Sequence, residues 1–272
     1  MMKRTGSYQV KPFSKNRRNI ALLLEEGAQK HGIHALIEVD VTRARQLIRV
    51  HREKTGERMS FTGWIVRCAS EAMARHRELN AYRHGRRKMV VFDDVDVSLP
   101  VERYADGEVR PMAYIIRKAN EKNVREISGE IRKVQEEMVS SSTQILGQNL
   151  TTLERFALGA PAWIQRMLLW FLKRNGFFRK EHMGTLGVTS IGMFGKFPGW
   201  VVPLGIPAML IVVGGITRKP GVVDDRIEIR ERLGLTITVD HDMVDGGPLA
   251  RFIDTLIDLM ENAFGLEQLP ND

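Results

Sequence analysis

The sequence predicts one α/β domain, and three features of its 272 residues support that prediction. Hydrophobic residues make up 43% and charged residues 27%, which is the balance of a chain that can bury a core. Residues 235–240 alternate apolar and polar side chains, which is typical of a strand with one buried face. Apolar side chains three and four positions apart in residues 124–134 indicate an amphipathic helix. No repeat or linker divides the chain, so we expect one domain over residues 1–272.

The remaining elements are assigned in chain order from the same two periodicities. Residues 1–13 are polar and predict an extended arm, and Ser14, a residue type that caps helices, precedes the first helix. Runs rich in β-branched residues predict strands, whereas wider apolar spacing predicts helices. The expected helices are residues 15–30, 42–54, 60–76, 120–137 and one that begins at Pro248. The expected strands are residues 34–41, 89–100, 109–116, 209–213 and 226–240.

The segment from about residue 141 to 180 has a different character. Hydroxyl side chains at 140–143 indicate a loop, and residues 161–174 predict a basic amphipathic helix that carries two tryptophans. We expect this helix to pack on its own domain or on a neighbouring subunit. Contact with a membrane surface is the less favoured alternative, because tryptophan and basic residues also flank the apolar face of interfacial helices.

Charge and cysteine content limit the function classes. The net charge of +8 can attract nucleic acid, anionic lipid or a phosphorylated ligand, but the basic residues are dispersed along the chain and no nucleic-acid-binding motif accompanies them. We therefore expect a solvated surface or an anionic ligand such as a coenzyme, and no nucleic-acid partner. Cys68, in an apolar stretch, favours buried packing over a reactive thiol. With one cysteine and no signal-like N-terminus or membrane-span run, a cytoplasmic location is expected.

The segment 241–247, directly after the alternating strand, carries the most informative chemistry. A histidine has a pKa of about 6.5, so His241 can accept and return a proton near neutral pH. Asp245, four positions on, can orient that histidine or hold an arginine, while Gly246 and its neighbour let a ligand approach the backbone. A surface histidine in a turn would show the same motif. The strand before it and the helix after it favour a site.

Residues 235–247 and 250–253 resemble the active-site segment of the dihydrolipoyl acyltransferase catalytic domain, the core component of 2-oxo acid dehydrogenase complexes. That domain is related to chloramphenicol acetyltransferase. Further segments resemble it in the same order along most of the chain, at residues 13–21, 34–41, 60–81, 111–120 and 184–195. The resemblance implies a chloramphenicol acetyltransferase-like fold, an α+β two-layer sandwich with a mixed sheet flanked by helices.

The resemblance also implies a mechanism. His241 would act as general base on a thiol, of coenzyme A or of a dihydrolipoyl group, and the thiolate would attack the thioester carbonyl of the other partner. A hydroxyl from the glycine-rich loop, residues 184–195 here, of an adjacent subunit would stabilise the oxyanion, with Thr189 at that position and Ser190 beside it. Family members usually carry serine at the first of these positions. The site would then lie between the subunits of a homotrimer.

Two further residues have supporting roles by resemblance. Asp245 would hold the turn through an ionic contact with Arg17, for which a solvated surface charge is the alternative. Gly246 would support the site. Residues 141–180 resemble an insertion into the family pattern, and the polar C-terminal residues 265–272 predict a free trimer.

These features predict a stand-alone acyltransferase that uses acyl-coenzyme A. We expect no lipoyl domain and no peripheral-subunit-binding domain, so a lipoyl group or another small acceptor would be supplied in trans. The alternative is a non-catalytic trimeric assembly or regulatory protein that docks a partner through the helix at 161–174. The threonine at position 189 slightly favours that alternative, and turnover that depends on His241 distinguishes the two.

Overall fold

In a computed structural model of the chain, helices cover one face of a six-stranded sheet. The structure describes residues 6–13, 15–105, 108–137, 174–192, 198–203 and 207–267, with residues 144–145, 148–149, 160–161, 163–164, 167 and 170 between them. The two layers share one hydrophobic core. The expected α/β class, with a mixed sheet flanked by helices, is therefore confirmed.

The elements are numbered in chain order. The helices whose bounds the structure describes are α1 (Lys15–Ala28), α2 (Thr42–Thr55), α3 (Phe61–Arg75), α4 (Val124–Glu136), α5 (Gly176–Met183) and α6 (Gly246–Glu261). The strands are β1 (Gly32–Asp40), β2 (Ala81–His84), β3 (Lys88–Val91), β4 (Val97–Ala105), β5 (Glu108–Ile116), β6 (Gln144–Ile145), β7 (Gln148–Asn149), β8 (Leu186–Ser190), β9 (Met209–Val223) and β10 (Arg226–Asp240).

The large sheet has the strand order β1-β10-β9-β8-β4-β5. β8 runs parallel to both of its neighbours, β4 and β9, and the other pairs are antiparallel. β9 and β10 form a long hairpin of two 15-residue strands at the centre of the sheet. β2 pairs with β3, and β6 with β7, in two small separate sheets.

α3 is the central helix of the covering layer. Its N-terminus is capped by Ser60, whose hydroxyl accepts a hydrogen bond from the Gly63 N–H at 3.0 Å. Trp64 is fully buried, and its indole N–H donates to the carbonyl of Phe264 at 3.1 Å, which satisfies the polar end of a large apolar side chain. Cys68 is also buried, as expected, and burial raises the pKa of its thiol.

The prediction of a single strand over residues 89–100 is wrong, because this stretch contributes to two strands, β3 and β4, in two different sheets. The chain is turned between β3 and β4 by two asparagine side chains. The Asn80 amide donates to the carbonyls of Phe92 and Asp94 at 2.9 and 3.0 Å, and the Asn120 side chain accepts from the Val95 N–H at 2.8 Å. These contacts occupy backbone groups that a continuous strand would need for its ladder.

Other boundaries also differ from the expectations. The segment 184–195, expected as a glycine-rich loop, contains β8, and the short strand at 209–213 continues to Val223. The last helix begins at Gly246, so Pro248 lies in its first turn rather than at its first position. Two predictions fall mostly outside the described residues: the loop at 140–143 and the helix at 161–174. Of the second, positions 163, 164, 167 and 170 are described, and all four are helical.

Gly184 generates a first prediction, because its backbone (φ 67°, ψ −177°) is a conformation that only glycine readily adopts. An added Cβ would also lie 2.5 Å from the Asp96 carbonyl oxygen. We expect Gly184→Ala to lower the free energy of unfolding by about 2 kcal/mol or more in urea denaturation. Gly129→Ala, in an exposed turn of α4 with open space around it, should raise it by about 0.5–1 kcal/mol. Equal stability of the two variants would contradict this account.

Candidate active site

His241 is the first residue after β10 and begins the turn that leads into α6. Its backbone N–H donates to the carbonyl of His31 at 2.8 Å, so the segment before β1 holds the start of the turn. The N–H groups of Met243 and Val244 both donate to the Asp240 carbonyl, at 3.0 and 3.2 Å, and tighten the turn. The imidazole is half exposed, so it can meet a substrate while its backbone is held in place.

Asp245 lies at the N-cap position of α6, and its carboxylate is 88% exposed. Its Oδ1 is 3.8 Å from His241 Nδ1, which is an ionic contact rather than a hydrogen bond. A carboxylate is favoured at the positive end of a helix dipole. A Cβ added to Gly246 would meet no atom within 4 Å, so the approach to this helix end is open.

Support for the turn comes from two residues that sequence reasoning missed, Lys30 and His31. The Lys30 ammonium donates to the Pro207 carbonyl at 2.8 Å and lies 3.7 Å from Asp240 Oδ2. The other oxygen of Asp240 accepts from the Asp242 N–H at 3.2 Å. The sequence offered little signal for this contact. Lys30 and His31 lie about 200 residues before Asp240 and Asp242, and nothing in the sequence predicts that the two pairs meet.

Burial and neighbouring charges alter the pKa values of both supporting residues. Burial, together with the charge of Arg179, lowers the pKa of Lys30 to about 8, although Asp240 acts in the opposite direction. A 2.9 Å hydrogen bond between the His31 ring and the Asp242 carboxylate, followed by the carboxylate charge, raises the pKa of His31. The turn therefore has a buried cation beneath it and an exposed ion pair beside it.

Thr189 and Ser190 end β8, two strands away from His241, and the structure does not bring them to it. Thr189 pairs with Val212 on β9, and Val212 pairs with Thr236 on β10. His241 follows Thr236 by five residues, which at the rise of a strand is roughly 15 Å along the sheet. Within one chain, the two hydroxyls therefore lie two strands across the sheet and about five residues along it from the histidine.

Arg17 and Asp245 do not form an ion pair within one chain. Arg17 is exposed on α1 and makes contacts of its own, while the ionic neighbour of Asp245 among the described residues is His241. The ion pair between Arg17 and Asp245 stays a prediction. Gly246 is found beside the candidate base, at the first position of α6.

The chain matches the family model described as 2-oxoacid dehydrogenases acyltransferase (catalytic domain) over residues 5–146 and 173–266. The intervening residues fall inside the segment predicted to be an insertion.

The dihydrolipoyllysine-residue acetyltransferase component of the pyruvate dehydrogenase complex of Corynebacterium glutamicum is 25% identical over 251 residues, 88% of this chain and 31% of that protein. The succinyltransferase component of the 2-oxoglutarate dehydrogenase complex of Staphylococcus aureus is 24% identical over 96% of this chain and 56% of its own length. The chain thus spans a little under a third of the first relative's length and a little over half of the second's.

Two solved structures share the fold. A probable dihydrolipoamide acetyltransferase from Listeria monocytogenes has a TM-score of 0.68 at 19% identity, covering 95% of this chain and 96% of that one. The dihydrolipoamide acetyltransferase of Azotobacter vinelandii has a TM-score of 0.69 at 15% identity, covering 96% of this chain and 95% of that one. In the latter protein a serine, a histidine and an asparagine were investigated for their role in the catalytic mechanism.

The buried Lys30 generates a pH prediction. Between its folded pKa of about 8 and its ordinary value of 10.5, the unfolded amine binds a proton that the folded amine does not. Stability attributable to Lys30 should therefore rise with pH across that window, by at most about 3 kcal/mol. The measurement is the free energy of unfolding in urea, for wild type and for Lys30→Met, from pH 7 to pH 10.5. The wild-type value minus the variant value should increase as the pH rises. A difference that stays flat with pH would rule out a depressed pKa.

Proposed function

The chain belongs to the family of 2-oxoacid dehydrogenase acyltransferase catalytic domains, and from that membership we propose that it transfers an acyl group between coenzyme A and a thiol. A dihydrolipoyl group is the proposed thiol, because the named relatives are dihydrolipoyllysine-residue acyltransferases. The observation that carries the proposal is the placement of His241, half exposed on a backbone held by His31 and beside an open helix end.

In the proposed reaction, His241 takes the proton from the attacking thiol. The thiolate sulfur then attacks the carbonyl carbon of the thioester and forms a tetrahedral oxyanion. When the oxyanion collapses, the original carbon–sulfur bond breaks, and the leaving thiolate takes the proton back from His241. An imidazole suits both transfers because its pKa lies near the working pH. The histidine is unchanged at the end. A thioester and a thiol are present on both sides of the reaction, so the same steps can run in either direction.

Asp245 is the proposed positioning group for His241. A carboxylate near Nδ1 favours the tautomer that carries its proton there and leaves Nε2 free to act as base. It also stabilises the imidazolium that forms during the reaction. The serine, histidine and asparagine investigated in the A. vinelandii enzyme are spaced along their chain as Thr189, His241 and Asp245 are here, which supports assigning the three roles to these positions.

The oxyanion donor is proposed to come from a second copy of the chain, as in a homotrimer with sites between subunits. Thr189 and Ser190 lie too far from His241 in the same chain for either hydroxyl to reach its substrate. Successive side chains on a strand point to opposite faces, so one of the two would face the partner's histidine. Thr189 is the proposed donor, with Ser190 as its alternative. The non-catalytic alternative is not favoured, since the named relatives are acyltransferases.

The role of His241 is tested by its alanine variant. We expect His241→Ala to lower kcat/KM by about 10²–10⁴-fold, the usual contribution of general base catalysis. The measurement is release of coenzyme A from acetyl-coenzyme A with free dihydrolipoamide, which also tests whether the chain uses an acceptor in solution. His34→Ala, an exposed histidine on the adjacent strand β1, serves as the matched control and should stay within a few-fold of wild type. Turnover that survived in His241→Ala would exclude the proposed base.

The shared site is tested by mixing two inactive variants. Thr189→Ala should lower kcat by about 10²–10³-fold through loss of the oxyanion donor, whereas Thr189→Ser should remain active. In trimers co-assembled from equal amounts of His241→Ala and Thr189→Ala chains, about a quarter of the sites regain both side chains, so activity should return. A mixture as inactive as its parents would contradict a site shared between subunits. The same mixture with Ser190→Ala identifies which hydroxyl donates.

A further inference from the structure

An exposed apolar stripe lies on the part of the chain that the family model leaves unmatched. Trp163, Met167 and Trp170 are 67%, 52% and 40% exposed. All three are helical positions, and their spacing of four and three residues places them on one face. Because the stripe falls between the two matched blocks, the family resemblance does not account for it.

The C-terminal end of this stripe is tied to the turn between β2 and β3. The Gly85 N–H donates to the Arg174 carbonyl at 2.7 Å, and the Arg174 guanidinium lies 3.7 Å from the centre of the Trp170 ring. Phe177, which is 56% exposed, stands edge-on to His84 with ring centres 5.4 Å apart. The stripe, Phe177 and the turn therefore form one surface, called here the aromatic–basic surface.

The β2–β3 side of this surface is basic. The β2–β3 hairpin, residues 81–92, has four basic residues and no acidic one, and residues 161–183 have five basic residues and one acidic residue. Within the second segment, Lys180 is only 13% exposed and its ammonium lies 2.8 Å from an Asp94 carboxylate oxygen, so it adds little charge to the surface. The basic side chains of the hairpin, Arg83, Arg86, Arg87 and Lys88, are all exposed. These four side chains therefore place positive charge on the hairpin whose turn meets Arg174, beside the stripe.

We propose that the aromatic–basic surface docks the protein onto an anionic phospholipid membrane. The stripe and Phe177 enter the headgroup region, where tryptophan and other large apolar side chains are favoured. The arginines and Lys88 meet lipid phosphates, which attract basic clusters next to an apolar face. A lipid surface accounts for both kinds of side chain at once, because tryptophan is favoured at the headgroup level and basic side chains meet the phosphates there. Among the described helices none is long and apolar enough to cross a membrane.

The test is co-sedimentation of the full chain with lipid vesicles. Vesicles of phosphatidylcholine alone are compared with vesicles of an equimolar mixture of phosphatidylcholine and phosphatidylglycerol. Each is measured at about 0.1 M salt, where the screening length is about 10 Å, and at about 1 M salt, where it is about 3 Å. We expect binding to the anionic vesicles that weakens at high salt. Trp163→Ser with Trp170→Ser, and separately Arg86→Glu with Arg87→Glu, should each lower the partition coefficient by at least about tenfold.

A matched control comes from the tip of the β9–β10 hairpin. Val222→Ser with Ile227→Ser removes two apolar side chains that are 72% and 80% exposed elsewhere on the molecule, and should leave binding unchanged. The changed side chains are exposed, so unfolding curves of all variants should match wild type. The proposal is overturned if wild type ignores anionic vesicles, or if either surface variant binds them as wild type does. A tryptophan variant with a changed mass in light scattering also overturns it, because the stripe would then be a contact between copies.

Discussion

The register of three neighbouring strands is the constraint on which the proposed chemistry depends. β8 runs parallel to β9 while β10 runs antiparallel to it, so the carboxyl ends of β8 and β10 point to opposite edges of the sheet. The candidate base follows β10, and the candidate hydroxyls end β8. Backbone hydrogen bonds along the strands make this separation rigid, and no side-chain rotation spans it. Under the proposed mechanism, assembly of copies is therefore a part of catalysis.

The turn that carries His241 is held by groups from the opposite end of the chain. Lys30 reaches both the Pro207 carbonyl before β9 and the Asp240 carboxylate at the end of β10, and so joins the two strands where the site begins. Burial opposes the charge of this lysine, and the nearby Arg179 opposes it further. Groups with such shifted pKa values are concentrated at functional sites, where position takes precedence over stability.

Several features of the site and fold were open to sequence reasoning because they depend on neighbours along the chain. The alternation of residues 235–240 predicted β10, and the motif after it predicted where the histidine stands. The apolar spacing of 124–134 predicted α4, whose Asn123 and Glu126 complete a capping box. β8 was missed because its five residues lie within a longer glycine-rich segment and are stabilised by parallel partners on both sides, which the sequence does not reveal.

The sequence by itself determined which residues can do chemistry, their local periodicity and the sign of the net charge. Tertiary structure alone decided that residues 89–100 divide between two sheets, that Thr189 and His241 lie apart, and that the turn between β2 and β3 meets Arg174. The physical reason is that periodicity specifies which face of a strand or helix is buried but carries no information on its partner or register. Those are set by contacts between residues far apart in the chain, such as Asn80 with Asp94 or Lys30 with Asp240.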